Sequence, residues 1–141
     1  MKKKSIVFSM LLGCFLTMGA FFSSYTYVTP EDFKQWLDTD KPLIIVDIQD
    51  KEAFAKQHFQ GSIETNAYPV ENDAERARIE PAVEKFKATN NDVVIVCPRG
   101  KGGAERCYDY MKSQGVPIEK MFILEKGIDK WPYREMVENQ N

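Results

Sequence analysis

"VVIVCPRGKGGAERC", Val93 to Cys107, is an apolar, β-branched run that ends in a cysteine. Three glycines and two cations follow within six residues, and then a helical pattern begins. The apolar run predicts a strand buried on both faces. Ala104, Cys107, Tyr108 and Met111 fall at i, i+3, i+4 and i+7, which predicts a helix with one apolar face, closed by Gly115 as its C-cap. A buried strand running through a tight glycine turn into a helix is one half of a βαβ unit. That reading sets the fold class for the rest of the chain.

The flanking segments repeat the alternation. "TPEDFKQWL" predicts a helix, with Thr29 as N-cap, Pro30 at the first helical position and Asp32 where a capping-box acid belongs. "PLIIVDI" (Pro42–Ile48) predicts a buried strand. "KEAFAKQHF" predicts a short helix stopped near Gly61, and "GSIET" a weak strand. "ENDAERARIEPAVEKFKATNN" predicts helix broken at Pro81. "KMFILEKG" predicts the last strand, followed by a short helix around Trp131. The expected architecture is a central parallel sheet with helices on both faces. In such sheets ligands bind beyond the carboxyl ends of the strands. Asp47–Gln49, Cys97–Gly103 and Glu125–Gly127 converge on that edge.

The chain has 141 residues, 43% hydrophobic and 28% charged, enough for one domain with a real core. Lys2, Lys3 and Lys4 are the only charges in the first 24 residues. Beyond them, 16 basic residues face 21 acidic ones, net -5. An acidic body excludes a nucleic-acid partner, because phosphate binding needs a basic surface. The three lysines and the uncharged run Ser5–Ser24 have the form of an export signal or membrane anchor over residues 1–24, ahead of a domain over 25–141. The protein is therefore expected to be exported, either periplasmic or held at the membrane. Three modes of ending stay open. "LLGC" resembles a lipoprotein box with Cys14 as the lipidated residue. Cleavage after Ala20 is a second mode. An uncleaved anchor is a third, since Ser5–Phe22 is 18 residues, near the minimum to span a bilayer.

The chemistry concentrates at Cys97. Thiolate is the reactive form of cysteine, and helix N-termini and nearby cations favour it. The helix beginning near Gly102 points its unpaired N–H groups back toward Cys97. Arg99 and Lys101 add positive charge, and Gly100, Gly102 and Gly103 let the backbone curl its amides inward as an anion nest. The competing reading is a buried structural cysteine before a tight turn. One histidine and separated cysteines do not make metal-ligand spacing, so no metal is expected.

The Cys97–Gly103 segment resembles the active-site loop of the rhodanese-like family, with cysteine first, glycine at the fourth position and a helix behind. "LIIVDIQDKEAFAKQHFQGSI" resembles the family's aspartate signature and its histidine-x-x-glycine motif, here His58–Gly61. "LEKGIDKW" (Leu124–Trp131) resembles its closing glycine-tryptophan motif. The resemblance spans roughly Thr29 to Pro132. It implies a three-layer fold around a five-stranded parallel sheet, and transfer of a sulfane sulfur through a persulfide on Cys97 without a cofactor. Pro98 to Gly103 would bind the substrate through amides and cations, with Asp47 and His58 as structural support. A small anionic sulfur donor and a thiol or cyanide acceptor are implied as partners, a protein thiol among the acceptors. A non-catalytic sulfur carrier serving a membrane-associated redox partner is the alternative. A phosphatase or arsenate reductase would need an arginine six positions after the cysteine. Gly103 stands there, and Arg106 is expected to lie too far along the helix. The chain departs from the family pattern at Gln49 (usually arginine), at Gly102 and Gly103 (often arginine and serine or threonine) and at Lys126 (usually glycine). Cys107 is expected to pack in the core, although a disulfide with Cys97 would be open to an exported protein.

Overall fold

The computed structural model describes residues 24–139. Residues 1–24, which have the form of an export signal or anchor, lie with Cys14 outside the described residues apart from Ser24. Elements follow in the order β1 (Tyr27–Val28), α1 (Pro30–Asp38), β2 (Leu43–Asp47), α2 (Lys51–Lys56), β3 (His58–Phe59), β4 (Ile63–Glu64), α3 (Asp73–Ala77), α4 (Glu80–Thr89), β5 (Asp92–Val96), α5 (Gly102–Ser113), β6 (Met121–Leu124) and β7 (Val137–Glu138). Five strands form one parallel sheet in the order β1-β6-β5-β2-β4. The fold is the expected three-layer rhodanese-like one.

Side chains alternate across each strand, because successive Cβ atoms point to opposite faces. Ile44, Val46, Val93 and Ile95 pack on one face with Val83 and Phe86 of α4 and Cys107 and Met111 of α5. Ile45, Val94 and Val96 pack on the other with Phe33 of α1, Phe59 and Trp131. Val93 to Val96 have no exposed surface. Burying each such side chain stabilises by about 1.5–3 kcal/mol before chain entropy is charged against it. The same alternation puts Cys97, two residues past Ile95, on the α5 face.

Local chemistry sets the element ends. Thr29 Oγ1 accepts the Asp32 N–H at 3.1 Å and starts α1. Asp50 caps α2 by accepting the Ala53 N–H at 2.8 Å. Several expected boundaries move. The "KEAFAKQHF" helix ends at Lys56, because His58 and Phe59 leave it to pair antiparallel with Val137 and Glu138. The helical stretch after Glu71 breaks at Arg78–Ile79, and Pro81 sits in the first turn of α4, where its missing N–H costs nothing. Gln114 caps α5, and Gly115 is the next residue, at φ +94°. A 3-10 turn at Ile128–Lys130 precedes Trp131, which is buried against Phe33 and Phe59. The chain builds β4 outward from β2, then returns to place β5 on the other side of β2 and β6 beyond it. The order reverses between β2 and β5, so the ligand-binding crevice is expected at their carboxyl ends. Asp47 and Cys97 stand there.

Candidate active site

Cys97 follows the last residue of β5 and is 3% exposed, so its sulfur is reached only through a local opening. The Gly100 N–H donates to Cys97 Sγ at 2.9 Å. Gly102 and Gly103 open α5, whose first-turn N–H groups have no intrahelical acceptor.

A second turn holds the loop in shape. The Ile128 and Asp129 N–H groups donate to the carbonyls of Cys97 and Pro98, each at 3.0 Å. Gly100 has φ +66°, and a Cβ there would stand 2.6 Å from the Leu124 carbonyl oxygen. Gly127 has φ +67°, and a Cβ there would stand 2.4 Å from the Pro98 carbonyl oxygen. The two backbones touch at these two glycines. Gly102 and Gly103 have no such conformational demand. Added Cβ atoms would meet the Arg106 guanidinium at Gly102 and the Tyr68 ring at Gly103.

A pocket of about 300 Å³ opens over the sulfur. Cys97, Pro98, Arg99, Lys101, Gly102 and Gly103 form its floor and one side; Tyr68 and Arg106 form the rest. Six of the seven loop residues singled out in the sequence therefore share one cavity with two that were not; the seventh, Gly100, reaches Cys97 Sγ through its N–H and lines a groove on the other side. Arg106 is a correction. It was expected to lie too far along the helix, but Cα–Cβ bonds tilt toward a helix's N-terminus, so a long side chain covers the turn before its own. Its guanidinium lies over Gly102, with Nε donating to the Pro69 carbonyl at 2.9 Å. The i, i+4 spacing of Gly102 and Arg106 was the signal available in the sequence. Tyr68, 40% exposed, arrives from the segment after β4 and carried no such signal. Arg99 and Lys101 are exposed, and both also line a wider groove with Lys126 and Lys130 on the other side of the loop.

Asp47 and His58 stand outside this pocket. Asp47 is fully buried and accepts from the Gln49 N–H at 2.9 Å and from Gln49 Nε2 at 3.0 Å. Gln49 Nε2 also donates to the Gln57 carbonyl at 3.0 Å. Burial pushes the Asp47 carboxyl up to about 6, against the Gln49 hydrogen bonds and the nearby His58, which favour the anion. His58 stacks on Phe54 with ring centres 4.2 Å apart and donates from Nδ1 to the Phe54 carbonyl at 2.9 Å. Its Nε2 lies 3.6 Å from Glu138. Cys97 and Cys107 are both free thiols. Cys107 has no exposure, and burial, with Cys97 nearby, pushes its thiol far up.

A thiol at a strand tip, touched by an inward N–H and open to a small cation-lined pocket, can attack an anionic electrophile and hold the negative product. Three comparisons bear on this arrangement. The chain is 28% identical over 109 residues to the "Putative sulfur carrier protein YrkF" of Bacillus subtilis, covering 77% of this chain and 52% of that protein. It thus spans about half the length of that relative. A rhodanese-like domain protein from Staphylococcus aureus superposes with a TM-score of 0.58 at 20% identity, covering 82% of this chain and 99% of that one. An As-Sb reductase from Leishmania major superposes with a TM-score of 0.62 at 18% identity, covering 82% and 86%. At these identities the two structures speak for the fold alone. The rhodanese-like domain model matches residues 29–132, and the chain belongs to the rhodanese-like domain family.

Proposed function

We propose that the protein transfers sulfane sulfur through a persulfide on Cys97. The observation that carries this reading is the Gly100 N–H aimed at Cys97 Sγ inside a pocket bordered by Arg99, Lys101 and Arg106. Cys97 thiolate attacks the outer sulfur of thiosulfate. The new S–S bond forms on Cys97, the donor's own S–S bond breaks, and sulfite leaves with the electron pair. With polysulfide, a chain one sulfur shorter leaves instead. The persulfide anion then sits where the Gly100 N–H and the first turn of α5 can stabilise it. An acceptor thiolate or cyanide attacks the outer sulfur and frees the Cys97 thiolate. Arg99 and Lys101 draw the anionic donor toward an otherwise acidic body.

The second reading, a sulfur carrier that hands its sulfur to a protein partner, is favoured by the name of the Bacillus subtilis relative. Turnover separates the two. A sulfurtransferase of small molecules releases thiocyanate from thiosulfate and cyanide over many cycles, and Cys97→Ser abolishes it. A carrier takes up one sulfur, turns over slowly with cyanide and empties rapidly onto a protein thiol. Thiocyanate production that survives Cys97→Ser would contradict both.

A further inference from the structure

We propose that Arg106 is the donor-selecting residue of the Cys97 pocket, its guanidinium binding the sulfonate end of thiosulfate-type donors. The inference rests on the sulfur-transfer reading of Cys97 and adds which donors the pocket prefers.

Four observations place the group. Arg106 lines the same pocket as Cys97. Its Nε is spent on the Pro69 carbonyl at 2.9 Å, which fixes the plane of the guanidinium. Its Nη1 lies over Gly102, 3.0 Å from where a Cβ would be, and has no hydrogen-bond acceptor among the described residues. Its Nη2 is 3.7 Å from Glu71, an open pair with that carboxylate 65% exposed. An exposed pair at that distance holds little energy, so an incoming anion can compete for Nη2. The fork therefore keeps donors to offer, on a side chain anchored at its base.

The two glycines of the first helical turn complete the argument. A side chain at Gly102 would push the guanidinium away, and one at Gly103 would run into the Tyr68 ring at 2.9 Å. The chain lacks side-chain donors at 102 and 103, and the empty volume is what lets an arginine one turn later reach back. Guanidinium recognises the planar pair of oxygens of a sulfonate in two parallel bonds. A polysulfide has no such oxygens. The pocket thus favours donors that carry an oxyanion group beyond the sulfur to be transferred.

Sulfite, the oxyanion half of thiosulfate, tests this without requiring transfer. Alkylation of Cys97 by iodoacetamide in the full-length chain is followed by intact mass at increasing sulfite, relative to a small free thiol in the same mixture, which accounts for the reagent that sulfite itself consumes. Sulfite should slow alkylation of wild type. Arg106→Gln should need about tenfold more sulfite for equal protection, the loss of one charge-assisted contact. Arg106→Lys should fall between, since an ammonium keeps the charge but not the fork. Gly102→Ala should also raise the sulfite needed, by displacing Nη1 while leaving the Pro69 bond possible; it serves if Arg106→Gln does not fold. Protection is the ratio of that relative rate with and without sulfite within each variant, so a change in the reactivity of Cys97 itself cancels. Equal protection in wild type, Arg106→Gln and Gly102→Ala, or no protection of wild type, would overturn the assignment. Arg106-dependent protection without sulfur uptake from thiosulfate would keep the anion site and remove the sulfur-transfer reading. Thiosulfate loading at the same rate in wild type and Arg106→Gln would do the reverse.

Discussion

Asp47 is a buried carboxyl satisfied only by neutral donors. Gln49 supplies both its own N–H and its side-chain amide, so the Asp47 oxygens are bonded without a cation beside them. The consequence is a pH dependence of definite sign. An ordinary aspartate titrates at 3.8, and burial raises this one to about 6, with Glu64 adding to the rise and His58 opposing it. Between those values the folded chain holds a proton that the unfolded chain has released. The associated stability is fully present below about 3.8 and is lost as pH rises through about 6. Two pKa units correspond to on the order of 3 kcal/mol. Urea unfolding of Asp47→Asn should therefore gain on wild type as pH rises across that window. A difference between the two that stays flat with pH would contradict the account. Gln49→Arg should pull the Asp47 titration back down, by placing a cation where the amide now sits.

At the scale of elements, the cysteine loop and the Glu125–Gly127 turn are one unit, and their glycines are not equivalent. Gly100 and Gly127 combine a left-handed φ with close backbone contact, so any side chain is strained twice over. Gly100→Val should cost more than about 2 kcal/mol of stability and disturb the N–H that touches Cys97 Sγ. Lys126 offers the opposite case. It holds φ +62° with a full side chain, a conformation worth roughly 1–2 kcal/mol of strain for an L-residue. Lys126→Gly should leave stability unchanged or raise it by up to about 1 kcal/mol, since the relief exceeds glycine's entropic cost only slightly. Thermal melts of the two variants give the comparison, and a destabilised Lys126→Gly would mean that the lysine side chain contributes something that the backbone does not show. The long strands β2, β5 and β6, and helices α1 and α5, were legible because apolar runs and periodicity identify them. The two-residue strands β1, β3 and β7 were not. They are too short to carry a period, and they exist because Val28, Phe59 and Val137 pack against elements distant in sequence. The floor of the pocket was legible for the same local reason, as one contiguous loop. Its wall was not, because Tyr68 reaches it from another segment and Arg106 by the backward lean of a helical side chain.

For the whole molecule, charge is distributed against its net sign. An acidic body gathers Arg99, Lys101, Lys126 and Lys130 around one loop at the carboxyl edge of the sheet, where they outnumber Glu105 and Glu125 of the same groove. Such a cluster favours small anions at that edge, and its steering should weaken with salt. The Lys2–Lys4 cluster and the uncharged run behind it motivate a proposal of location: the domain works outside the cytoplasm or at the membrane. Fractionation of cells expressing the full chain should recover it outside the soluble cytoplasm, and a purely cytosolic full-length pool would contradict this. Cys14→Ser separates the anchors, because membrane retention that survives the substitution excludes lipidation as the cause. The central claim is chemical, and intact mass tests it most directly. After thiosulfate or polysulfide and removal of excess donor, the wild-type chain should carry one added sulfur, lost on treatment with a reducing thiol, while Cys97→Ser carries none. An unchanged wild-type mass with both donors, or an added sulfur that persists in Cys97→Ser, would contradict it.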